Sequence, residues 1–234
     1  MSQTVLFALV TSGALIAGAF TGMRWMPEKR LLAALLAFAA GALTAALAFE
    51  LFEESFAKGG HVLSSVGFAG GAGTFIVIDV LLERRRRASG GSGVGVALLA
   101  GVVLDGIPEN VALGTTLAAG AGSLALLAAI VFSNFPEALV GARAMCDNGR
   151  SVRFALGTWC FAAIVLAIAI IAGSSLLQNL DEGVLSVILA FAGGAVLASV
   201  ANTLFPRAYQ DGGPLVTVAT VAGFLVAFTL GSIG

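Results

Sequence analysis

Charge is scarce in this chain: 12 Lys/Arg and 13 Asp/Glu make up only 11% of 234 residues, and the two signs nearly cancel at a net −1. Without a basic excess there is no electrostatic footprint for nucleic acid, and without an acidic excess there is no basis for a disordered, solvated chain. Only two cysteines occur, Cys146 and Cys160, beside or within one apolar run. They form neither a disulfide framework nor a paired CxxC metal site, and read as two apolar thiols. A single histidine, His61, excludes a His-rich zinc centre. What fills the chain instead is apolar: 59% hydrophobic residues, 31 glycines and a mean hydropathy of +1.02, above the roughly 45–50% of soluble domains.

A hydrocarbon core of about 30 Å takes roughly 20 apolar residues of helix, and breaking the sequence at its charged clusters leaves eight such stretches, about 4–22, 31–52, 62–82, 94–118, 123–143, 154–177, 184–204 and 215–233. The expected fold is an all-α integral membrane protein of eight transmembrane helices, one domain over 1–234. The first stretch reads as a retained helix, since no positive residue precedes it and no small-residue cleavage pattern follows Met23-Arg24-Trp25-Met26-Pro27. Eleven of the twelve basic residues fall after spans one, three, five and seven, Lys58 alone lying on the other side. The positive-inside rule makes those loops cytoplasmic, places both termini outside, and requires an even number of spans. A segment at about 83–95 couples Arg84 to Arg87 with a Gly/Ser-rich stretch, a topology anchor or lipid-headgroup patch followed by a flexible hinge.

Eight of the thirteen acids lie in loops or at span ends. Glu50 and Asp79 are within about a turn of an end, where Asp79 is expected to reach the Arg84 cluster. Asp105, Glu109 and Glu137 lie close to the centres of spans four and five. A charge there costs about 2.5–3.5 kcal/mol, so three opposing insertion amount to roughly 7–10 kcal/mol. No basic residue is expected close enough to compensate them. Either they are neutral and donate interhelical hydrogen bonds, or something cationic enters. Asp105 and Glu109 are four apart, as are Ser133 and Glu137, with Asn134 beside them, so each helix gathers oxygen ligands on one face. Pro108 and Pro136 precede the two glutamates; lacking N–H groups, they are expected to free the carbonyls of Leu104 and Phe132 and kink both helices. Carboxylate, amide, hydroxyl and carbonyl oxygens without nitrogen or sulfur suit hard divalent cations, with mixed-ligand zinc also possible. His61, near Glu53, Glu54 and Lys58, reads as a solvated loop residue or as a metal-capturing one at the mouth. Gly41-Ala-Leu-Thr-Ala-Ala46, Gly67 to Gly73 and Ala192-Gly-Gly-Ala195 supply small faces for close helix packing; a sliding interface would use the same surfaces.

On these residues the chain resembles the ZIP family of divalent-metal transporters over nearly its whole length. Asp105-Gly106-Ile107-Pro108-Glu109-Asn110 is similar to that family's His-Asn-x-Pro-Glu-Gly, and Ser133-Asn134-Phe135-Pro136-Glu137-Ala138 to its following x-x-x-Pro-Glu-Gly. Glu50-Leu-Phe-Glu53-Glu54 resembles its helix 2 exit, and Gly194 to Ala198 running into Asn202-Thr-Leu-Phe-Pro206 resembles its helix 7. The resemblance implies a plasma-membrane, multi-pass carrier, not an enzyme, with divalent metal (Zn, or Mn, Fe or Mg) as substrate and no organic cofactor. It also implies a metal site at Asp105, Glu109, Ser133, Asn134 and Glu137, and an elevator-like movement of helices 1, 4, 5 and 6 against 2, 3, 7 and 8 in a homodimer. Asp105 and Gly106 replace the signature His-Asn, and span six holds no carboxylate, so the likeness implies one metal site more readily than two. A homologue that binds metal or a partner without moving it is the alternative. An intramembrane aspartyl protease would need Gly-x-Gly-Asp, which neither Asp79 nor Asp105 has.

Overall fold

The computed structural model describes residues 2–88, 94–118, 123–177 and 180–233; of 86–88 and 94–100 it describes the backbone alone. Every regular element among them is helical: α1 (Ser2–Arg24), α2 (Lys29–Ala46), α3 (Glu53–Ala88), α4 (Val94–Ala118), α5 (Leu124–Asp147), α6 (Val152–Leu176), α7 (Glu182–Ser199), the short α8 (Phe205–Asp211) and α9 (Pro214–Ile233). Two π-helical turns, Leu47–Phe52 and Val200–Leu204, join α2 to α3 and α7 to α8 without a break. Among the described residues, six stretches are long and apolar enough to cross a membrane: Ser2–Arg24, Lys29–Arg85, Leu124–Asp147, Val152–Leu176, Glu182–Asp211 and Pro214–Ile233.

The second of these is a hairpin. Gly60 adopts φ 68° and ψ −173°, a conformation that costs a side-chain-bearing residue dearly and glycine little. The chain reverses there: the hydroxyls of Ser55 and Ser64 meet at 2.9 Å, and the rings of Phe52 and Phe68 lie 5.2 Å apart, edge to face. Thus the loop expected near 53–61 is helix almost throughout, with the reversal compressed into one glycine. His61 begins the returning arm and lies edge-on to Phe56, ring centroids 4.3 Å apart. Of the segment expected to act as a hinge, α3 runs on to Ala88 and α4 starts at Val94; residues 89–93 lie outside those described.

The burial pattern is the reverse of a soluble protein's. Alanine and glycine fill the interior, while Leu9, Phe161, Ile164, Ile168, Val218 and Leu225 point outward. Such continuous apolar exteriors suit a lipid bilayer, where van der Waals fit between small residues, not apolar contrast, holds helices together. Hydroxyls are silenced locally: Thr21, Thr44, Thr74, Thr158 and Thr229 each donate to the carbonyl four residues back. The helices associate in three groups: α1 with α5 and α6, and α6 with α4; α3 with α7; and α2 with α9. α2 and α9 pack on α5, α7 packs on α4, and the first π turn touches α2, α3 and α7.

Backbones within each group approach so closely that a Cβ would not fit. One at Gly41 would overlap the carbonyl of Thr220, and one at Gly223 that of Phe38, closing α2 on α9 from both sides. Gly71 and Gly194 do the same for α3 and α7, Gly114 and Gly173 for α4 and α6, and Gly18 and Gly22 seat α1 on α5.

Candidate functional site

Neither proline interrupts its helix: α4 continues through Pro108 and α5 through Pro136. The two helices therefore hold their acids in helical register. Ser133 donates to the carboxylate of Glu137 at 2.9 Å, one turn apart on α5. The Ser199 hydroxyl, in the last turn of α7, comes close enough to Asp105 on α4 to act on its carboxyl. Glu109 is buried at 3% exposure, inside the fields of both Glu137 and Asp105. Asn134 turns elsewhere, its amide reaching the Thr11 carbonyl of α1 at 3.5 Å. Of the five expected ligands, then, Asp105, Glu109 and Glu137 lie in one another's electrostatic range and Ser133 serves Glu137, whereas Asn134 is engaged with α1.

A polar cavity of about 150 Å³ opens beside them, toward the end of the bundle where α3 finishes. Asp105 and Glu137 form part of its wall; Glu109 lies behind it. Asp79 and Glu83 of α3, Trp159 of α6, Thr203 of the second π turn and Arg207 of α8 complete the lining. Two expectations are corrected here. Asp79 is bonded to the amide of Asn202 at 2.8 Å instead of answering the Arg84 cluster. A cation does face the central acids: exposed Arg207 lines the same cavity and acts through space on both Asp105 and Glu137. Four carboxyl groups and one guanidinium thus face the same cavity among the described residues. Trp159 is 1% exposed and its indole N–H has no acceptor among the described residues, so cavity water is its available partner.

Sequence reasoning missed Ser199, at the end of α7, and Asn202, Thr203 and Arg207, whose placement depends on the second π turn. In it the Phe205 N–H reaches back five residues to Val200, and Pro206, which has no N–H, follows directly. The widened turn re-aims the side chains after Ser199, a recurring habit of π turns at functional sites. The Asn-Thr-x-x-Pro-Arg run was the available signal. Across the bundle, the first π turn does the same for Glu50. With Glu53, it lines an outer cleft of about 260 Å³, closed by Phe228, Gly231 and Ser232 of α9. Next to it Glu54 pairs with Lys58 at 3.7 Å; burial raises the Glu54 carboxyl above the ordinary range against the pull of that lysine.

Among the described residues no group of three or more His, Cys, Asp or Glu side chains is drawn together as a metal cage. Cys146 and Cys160 are free, half-buried thiols. No family model matches the chain, and no curated protein matches it.

Proposed function

We propose that the chain is a ZIP-like carrier of divalent metal cations in the plasma membrane, crossing eight times with both termini outside and working as a homodimer. The observation that carries this reading is the gathering of Asp79, Glu83, Asp105 and Glu137 on one cavity wall, with Glu109 buried behind them. Carboxylates at this depth are expensive, and a doubly charged guest offsets that cost where one arginine cannot. The sequence resemblance supports the reading independently. The close packing of α1, α4, α5 and α6 with one another is compatible with it.

The cation enters from outside past Glu50, Glu53 and Glu54 and sheds most of its water. It then binds Glu109 and Glu137 with Asp105, Ser133 and Asn134, and leaves through the cavity toward the cytoplasm once the four-helix body has moved. Oxygen ligands favour hard ions such as Mn²⁺ or Mg²⁺ over a zinc-exclusive preference, with Zn²⁺ and Fe²⁺ as further substrates. Bringing Asn134 into the shell requires it to leave the Thr11 carbonyl, a 3.5 Å contact that is cheap to give up.

Flux of Mn²⁺ and Zn²⁺ into liposomes tests this. Glu109→Ala and Glu137→Ala abolish uptake; undiminished uptake in both removes the site. A second reading, a homologue that binds metal without moving it, is favoured by the absence of a ready-made cage among the described residues and by Arg207 in the exit cavity. Metal-dependent thermal stabilisation with no flux selects it.

A further inference from the structure

Tryptophan is a costly choice for the place that Trp159 holds. The side chain is 1% exposed and shares an apolar cluster with Ala138, Ala142, Met145 and Ala155, a setting that phenylalanine would fill without bringing a donor. Tryptophan brings one: its indole N–H is buried and has no acceptor among the described residues. Unpaired buried donors are rare, because such a group gives up its water and receives nothing in return.

The position of the ring points to the acceptor. A Cβ at Gly141 would overlap Cζ2 of the indole and lie 3.4 Å from Cε2, the carbon bonded to Nε1. The nitrogen-bearing side of the ring therefore rests on Gly141, and both residues line the polar cavity. Gly141 follows Glu137 by four residues on α5, as Ser133 precedes it by four. Hydroxyl and indole thus flank the glutamate on one helix face, each about one 5.4 Å turn away and each within reach of a glutamate side chain. In the conformation seen here the carboxylate is turned back to Ser133, which donates to it at 2.9 Å, and the indole side is unused.

We propose, resting on the carrier reading above, that Trp159 is a positioning residue for the metal site: when a divalent cation draws Glu137 toward the cavity, the indole N–H takes the carboxylate oxygen that the metal leaves free. Indole suits the task because its nitrogen donates and never accepts, so it cannot compete with the carboxylate for the cation. The same swing releases the Ser133 hydroxyl to the metal. Ligating carboxylates are in turn hydrogen-bonded, and loss of such a partner weakens metal binding by about 10–100-fold.

The chain has two tryptophans, and Trp25 is exposed at the end of α1, so Trp25→Phe leaves a single indole to observe. In that full-length variant, labelled with ¹⁵N-tryptophan in detergent micelles, the Trp159 indole proton moves downfield on loading with diamagnetic Zn²⁺ or Mg²⁺, as a newly formed hydrogen bond requires. The measurement keeps Trp159 itself in place and so does not depend on how well a substituted core folds. Titration calorimetry supplies the second reading: Trp159→Phe lowers Mn²⁺ affinity by about 10–100-fold. An indole resonance that stays in place on loading, or Mn²⁺ affinity within twofold of wild type in Trp159→Phe, overturns the role of Trp159 and leaves the carrier site standing. Wild-type protein that binds none of the three ions overturns the carrier reading, and the role of Trp159 with it.

Discussion

Arg207 is the one cation among the described residues that line the cavity, and its removal has a calculable effect on a divalent guest. A volume of 150 Å³ corresponds to a sphere about 7 Å across, which sets the scale of the guanidinium–cation separation. At about 7 Å a single and a double charge repel by about 5 kcal/mol in an effective dielectric of about 20, and by about 1.2 kcal/mol in water. Arg207 is exposed, so the aqueous value applies. Arg207→Gln therefore tightens Mn²⁺ binding by about sevenfold, while Arg207→Lys leaves it near wild type. Isothermal titration at low ionic strength measures the gain. Raising salt to about 1 M, where the screening length falls to about 3 Å, erases most of it. Tighter binding at the exit slows release, so steady-state flux falls as affinity rises. An affinity that stays within twofold of wild type at low salt, or a gain that persists in high salt, refutes the electrostatic argument.

Three further outcomes follow from packing and protonation. Gly223→Val forces a side chain into the Phe38 carbonyl and lowers stability by at least the roughly 1–3 kcal/mol of core overpacking. Gly73→Ala, with nothing within 4 Å of the added carbon, is neutral or stabilising by up to about 1 kcal/mol; thermal melts in detergent separate the two. Buried Asn110 donates to the Gly106 carbonyl at 2.7 Å, but its own carbonyl oxygen has no partner. Asn110→Leu, which removes that unpaired acceptor, should melt at or above wild type, and a loss beyond about 2 kcal/mol would mean the oxygen is in use. Glu54, outside the spans, has its carboxyl raised above 4.5 by burial, so the folded protein binds a proton there more readily than the unfolded chain. Its contribution to stability thus falls as pH rises from the unfolded value through the raised one; Glu54→Gln flattens that dependence in melts taken across the interval.

The helical stretches were readable because each rests on a local quantity, apolar length between charges, and eight helical segments overlie the eight expected ones. Asp105, Glu109 and Glu137 were readable for a related reason: a carboxylate in the middle of an apolar run is anomalous without knowledge of its neighbours. Contacts across the bundle were not. Asp79 lies within reach of the arginines that follow it in sequence, yet its hydrogen-bond partner is Asn202, 123 residues away. Arg207 counted as a loop residue because hydropathy stops at Leu204, while the π turn carries the helix on to Asp211 and returns the guanidinium to the cavity. Hydropathy records where a helix leaves the apolar layer and is blind to which way a widened turn then aims its side chains.

Glycine placement separates the two uses that the small-residue runs left open. Every backbone approach too close for a Cβ that the described glycines make between helices falls inside one of the three groups: α1 on α5, α4 on α6, α2 on α9, α3 on α7. Between the groups the contacts are made by side chains instead, such as the edge-to-face pair Phe38–Phe132 at 4.9 Å. Interdigitated backbones are stiff, because any slide must lift a carbonyl out of the gap its glycine leaves. Side-chain contacts exchange by rotamer changes on far shorter timescales than whole-domain motion. The glycines therefore lock helix to helix within each group and leave the contacts between groups to side chains. The polar cavity lies between groups, where α3 and the second π turn face α4, α5 and α6, and so among the contacts that no described glycine interlocks.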